Sequence, residues 1–144
     1  FGGDGLAMAE AYYREVGRMA AMGPTILGHI DLVAKFNRDG AFFDEADPRY
    51  RRAALEALRQ ADPASTLLEV NTGAMSRGYR EVPYPAPFLL EEWRRMGGRI
   101  ILTADAHSAE HLTYGYRQAA RLAREAGFTR SSLLTRKGVL ACDL

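Results

Sequence analysis

"GGRIILTADAH", residues 97–107, decides how this chain is read. Two glycines make a turn, "RIILT" makes a short buried strand, and an Asp-x-His pair stands where that strand ends. Apolar runs of this length bounded by turn residues mark buried strands. "TILGHID" (25–31) and "STLLEVNTG" (65–73) read the same way. Each run ends in polar side chains: His29 and Asp31, then Glu69 and Asn71, then Asp105 and His107.

Helical patterns separate the runs. Asp4 can cap a helix over about 6–21, with Met8, Tyr12, Val16 and Met19 as its apolar face, and Gly23-Pro24 ends it. "NRDGAFFDEADP" (37–48) is a loop rich in turn residues. Asp47-Pro48 has the form of an N-cap and first helical residue for a helix over about 48–61. "AMSRGYREVPYPAP" (74–87) carries three prolines and reads as irregular; Pro85 or Pro87 then opens a helix with Leu89, Trp93 and Met96 on its inner face. "YGYRQAARLAREAG" (114–127) is a further helix, and "SSLLTRKGVLACDL" (131–144) supplies a strand pair or a strand and tail.

Short apolar strands alternating with helices define an α/β fold of parallel βα units. The 144 residues make a single domain by length. Parallel strands place their C-terminal ends along one rim, and chemistry in such folds gathers there. His, Asp, Glu and Asn from three segments therefore converge on that rim.

Bulk properties narrow the function classes. Hydrophobic residues make up 47% and charged residues 26%, a globular balance. A net charge of +1 is a weak electrostatic footprint and argues against a dedicated nucleic-acid binder. One cysteine, Cys142, excludes an internal disulfide and any CxxC zinc site. No membrane span or signal peptide is visible, so the reading is cytoplasmic, with no membrane partner.

Asp-x-His offers a hard oxygen and a borderline nitrogen, a mixture suited to Zn, Mn or Fe. His29 can add a second nitrogen from a neighbouring strand. Asp105 or Ser108 could instead cap the next helix, and His29 could be a satisfied core histidine. Glu69 interrupts an otherwise apolar strand, either as a costly buried carboxylate or as a solvent-facing or ion-paired one. Asn71 positions a ligand or forms an Asx turn. Lys35, Arg77 and Arg80 lie on rim loops, where cations suit phosphate recognition, although a solvated surface charge is the simpler role for each. Phe42, Phe43, Tyr79 and Tyr84 either wall a pocket or pack the loops. His111 ranks below His29 and His107 as a ligand.

Together, "GHIDLVAKFN", "LLEVNTGAMSRGYREVPYP", "GGRIILTADAH" and the trailing "AGF" resemble the later part of PHP-domain phosphoesterases, nearest the histidinol-phosphatase branch. The likeness runs from about residue 7 to the end. It implies the C-terminal part of a distorted barrel of seven βα units, with divalent metal ions at the C-terminal rim of the strands. It implies His29, Asp105 and His107 as metal ligands, Lys35 and Arg77 as phosphate-binding residues, and Glu69 and Asn71 as their hydrogen-bonding support. Ala104 stands where the family often has Ser. The family's opening His-x-His is absent. The resemblance therefore implies a partial barrel lacking its N-terminal strands, with the missing segment or a second copy as partner. For the complete protein it implies hydrolysis of L-histidinol phosphate to histidinol and phosphate in histidine biosynthesis. A PHP-type nuclease or other phosphoesterase, and an inactive metal-free fragment, are the alternatives.

Overall fold

The computed structural model describes residues 1–144. Helix α1 spans Gly5–Ala21, and the Asp4 carboxylate accepts from the Ala7 N–H at 2.9 Å, as its cap position requires. Its buried face is Ala9, Tyr13, Val16, Gly17 and Ala20. This is a correction: Met19 is exposed, and Met8 and Tyr12 only flank the core. Small residues permit the reason. Gly17 lies against Ala57 of helix α2, Pro48–Leu58, and a longer side chain there would hold the helices apart. Tyr13 reaches across to Tyr50, hydroxyl to hydroxyl at 2.9 Å. Asp47 caps α2 through the Arg49 N–H, with Pro48 in the first turn.

Strands β1 (Ile26–Leu27), β2 (Leu67–Asn71), β3 (Arg99–Thr103), β4 (Arg130–Thr135) and β5 (Gly138–Asp143) form one sheet in that order. β1 to β4 are parallel, and β5 returns antiparallel to β4 as a hairpin. Strands in sequence order are what successive βα units produce, and the sheet is open, with β1 and β5 as its edges. Of the remaining helices, α3 is a single turn (Gly73–Ser76), α4 spans Pro87–Arg95 and α5 spans Tyr116–Glu125. No helix is long and apolar enough to cross a membrane.

Alternation along β2 organises the molecule. Leu68 and Val70 join Ile100 of β3 in the helix-covered core, together with Leu89, Leu90 and Trp93 of α4. Leu67, Glu69 and Asn71 face the other way, beside Arg99, Ile101 and Thr103. The Trp93 indole N–H donates to the Arg99 carbonyl at 2.8 Å, tying α4 to the start of β3. Gly98 packs against that indole ring so closely that a Cβ would overlap it.

The first strand is shorter than its apolar run suggests. β1 ends at Leu27, and His29 takes a φ of +53°. Asp31 is fully buried and does not join the rim, which corrects its placement at a strand end there. Its Oδ2 accepts from the Ala86 N–H at 2.7 Å, pinning the proline-rich segment against the loop after β1. That segment is irregular, and Tyr84 returns to pair with Asn71 through two 2.9 Å backbone hydrogen bonds.

Candidate metal centre

His29 sits between two carboxylates. Its Nδ1 is 3.2 Å from Glu69 Oε2, and its Nε2 is 3.5 Å from Asp105 Oδ2. The His29 backbone N–H also donates to Glu69 Oε2, at 3.0 Å. Thr103 donates its hydroxyl to the other oxygen, Oε1, at 2.7 Å. Glu69 is thus gripped from the loop after β1 and from β3 while standing on β2. Burial works against its charge, but the hydrogen bonds from His29 and Thr103 prevail and hold its pKa down to about 2. The bond to Glu69 pushes the His29 imidazole pKa up, against partial burial and with help from Asp105.

Asp105 is the second hub. Arg77 Nη2 donates to its Oδ2 at 2.7 Å, and Arg77 Nη1 donates to its backbone carbonyl at 2.9 Å. Partial burial opposes ionisation of Asp105, yet Arg77 keeps its carboxyl below the usual range. His107 Nε2 lies 3.7 Å from the other oxygen, Oδ1, and its side chain is largely exposed.

Backbone and glycines prepare this arrangement. Only three non-glycine residues have positive φ, and His29 and Asp105, at +45°, are two of them. Left-handed conformations at such residues cost of order 1–3 kcal/mol and cluster at functional sites. Gly28 and Gly73 allow close approach: a Cβ on Gly28 would meet Glu69 Oε2 at 2.9 Å, and one on Gly73 would meet Asp105 Cβ at 2.7 Å.

The structure brings together His29, Glu69, Arg77, Asp105 and His107. Two ligands on a tetrahedral ion at about 2.1 Å each stand about 3.4 Å apart. The His29 Nε2 to Asp105 Oδ2 spacing of 3.5 Å fits that geometry. With Glu69 accepting from Nδ1, Nε2 is left as the ligating nitrogen, the arrangement that orients histidine at metal centres. No three His, Cys, Asp or Glu side chains are arranged to hold one ion together. His107, with Nε2 3.7 Å from Asp105 Oδ1, is the third candidate donor beside the His29–Asp105 pair, and two imidazoles with one carboxylate are donors of the type a divalent metal takes.

Other candidates lie elsewhere. Lys35 makes no ion pair; its ammonium lies over the rings of Phe36 (5.1 Å) and Tyr79 (4.6 Å). Arg80 braces loops, donating to the Ala34 carbonyl at 3.3 Å and stacking over Tyr84. Phe43 and Tyr84 are buried, whereas Phe42 and Tyr79 are exposed. Asn71 is buried and accepts from the Gly73 N–H at 2.8 Å, forming the Asx turn. Asp105 caps no helix; Ser108 precedes a short 3-10 turn over Ala109–His111 but makes no side-chain cap hydrogen bond, and α5 starts at Tyr116 behind Gly115. His111 packs on Tyr114 at 5.6 Å and is outside the cluster. The Arg77–Asp105 pairing and the left-handed backbones had no signal in the residue order. The chain matches no family model and no curated protein.

Proposed function

We propose that this chain supplies the metal-binding rim of a PHP-type, metal-dependent phosphomonoesterase of the histidinol-phosphatase kind, with His29, Asp105 and His107 as metal ligands and little activity by itself. Its substrate class is a small-molecule phosphate, L-histidinol phosphate in particular. The observation that carries the reading is His29 held between Glu69 and Asp105 at the end of adjacent parallel strands.

The chain's own residues divide the work. Glu69 would hold the His29 proton at Nδ1, so that Nε2 would ligate a bound ion beside Asp105. Thr103 locks Glu69 in that role. Arg77 fixes the rotamer of Asp105 and brings a guanidinium to the rim, where it would offset charge on a phosphoryl group. A bound divalent ion supplies Lewis-acid stabilisation of that charge.

The experiment is elemental analysis of the purified protein and of His29→Ala and Asp105→Ala, run beside phosphate release from L-histidinol phosphate. Stoichiometric metal in the wild type that falls in both variants supports the reading. Unchanged metal content in both overturns the ligand assignment. Cleavage of single-stranded DNA in manganese without phosphate release would replace it with the nuclease reading.

A further inference from the structure

Tyr12 stands on α1 beside the buried face and not in it. Its hydroxyl reaches out from the helix and donates to the His29 backbone carbonyl at 2.7 Å. Burial pushes the phenol pKa up to about 12, with Asp31 adding to the shift, so the group stays a hydrogen-bond donor.

The contact falls on a residue whose own preferences work against its conformation. His29 has a φ of +53°, a left-handed backbone that non-glycine residues adopt at a cost. Such a conformer persists only where its surroundings over-determine it. Three hydrogen bonds meet that need. The His29 N–H donates to Glu69 Oε2 at 3.0 Å. The His29 carbonyl accepts from the Leu32 N–H at 3.1 Å, which closes a local turn. The same carbonyl accepts from Tyr12, its one bond from another element. Glu69 and Tyr12 therefore grip the residue on its two flanks, from β2 and from α1. With the backbone so held, Nδ1 lies 3.2 Å from the same Glu69 Oε2 and Nε2 lies 3.5 Å from Asp105 Oδ2.

We propose that Tyr12 is a positioning residue of this site: its hydroxyl holds His29 in the left-handed conformation that sets the imidazole between Glu69 and Asp105. It acts through His29 alone. Tyr13, one residue on, does a different task. Its hydroxyl donates to that of Tyr50 at 2.9 Å, inside the core between α1 and α2. One hydroxyl serves the core and its neighbour serves the site. The effect on metal affinity rests on the metal-site reading above; the hold on His29 does not.

The test is Tyr12→Phe beside Tyr13→Phe. Each removes one hydroxyl and keeps the ring, so the edge-to-face contact between the two rings is retained. By NMR of the metal-free protein, the coupling between the His29 amide and α protons should leave its wild-type value in Tyr12→Phe. The His29 amide should also exchange with deuterium several-fold faster there, relative to the amides of β2. Tyr13→Phe should lower the melting temperature and leave the His29 coupling at its wild-type value. Zinc affinity, read by competition with a fluorescent chelator, should fall about 10-fold in Tyr12→Phe, the lower end for contacts that orient a ligand. It should stay at the wild-type value in Tyr13→Phe. The visible bands of the cobalt-loaded protein should shift in Tyr12→Phe alone. His29 coupling and exchange equal to wild type in Tyr12→Phe overturn the proposal, as does a zinc affinity that falls equally in both variants. A moved His29 in a protein whose wild type takes no zinc upholds the role of Tyr12 and sinks the metal reading.

Discussion

Arg77 grips Asp105 twice, through the side-chain Oδ2 at 2.7 Å and the backbone carbonyl at 2.9 Å. One guanidinium thereby fixes both the left-handed backbone of Asp105 and the direction of its carboxylate. Arg77→Lys keeps the charge and loses the fork. Metal affinity, measured by competition with a chromogenic chelator, should fall in Arg77→Lys while the far-ultraviolet spectrum stays the same. Affinity equal to wild type would show that Asp105 needs no such hold.

Glu69 is expected to act through His29. Glu69→Gln keeps an oxygen for Thr103 but removes the charge facing Nδ1. Partners of this kind are worth about 10- to 100-fold in metal affinity. Histidine NMR titration of the metal-free protein should also show the His29 pKa lower in Glu69→Gln than in wild type, because the hydrogen bond to Glu69 is the largest cause of its upward shift. An unmoved titration would contradict the assigned contact.

Gly73→Ala should damage the site. Its Cβ would lie 2.7 Å from Asp105 Cβ and 2.9 Å from Arg77 Nη2. Overpacking of this kind costs about 1–3 kcal/mol. A lowered melting temperature together with reduced metal content is the expected pair of results. A variant with wild-type values for both would mean that the 73–77 turn yields freely.

The buried Asp31 carboxyl predicts a pH dependence. Burial pushes its pKa up to about 6, and the Ala86 N–H offsets this only in part. An unfolded aspartate titrates near about 3.9. Between those values the folded chain holds a proton that the unfolded chain releases. The stability from the neutral carboxyl is therefore complete below about pH 4 and is lost as pH rises through about 6. Urea midpoints should fall across that window in wild type and fall less in Asp31→Asn. Equal slopes in the two proteins would remove Asp31 as the source.

Much of the fold was legible in the residue order because its signals are local. Asp4, Asp47-Pro48, Gly97 and Gly127 mark helix ends by their own backbone chemistry, and the apolar runs of β2 and β3 are bounded by turns. The α1 face was misread because its burial is set by Ala57 and Tyr50 on a different helix, which spacing along α1 does not reveal. The site divides likewise. His29, Asp105 and His107 stood out as polar residues where apolar runs stop. That Glu69 faces His29, and that Asp31 is withdrawn into the interior, depends on the +53° turn at His29, which no neighbouring residue type announces. Closure into a barrel has no local signal of this kind, and the sheet is five-stranded and open.

β2 carries core and site on alternate residues: Leu68 and Val70 on one side, Glu69 and Asn71 on the other. A slip of one residue against β1 or β3 would bury Glu69 among the helices and strip His29 of its partner in the same stroke. Correct strand pairing and a competent His29 are therefore a single event. The imidazole resonance of His29 can serve as a reporter of folding fidelity, separating native pairing from any compact misfold that keeps the same secondary structure.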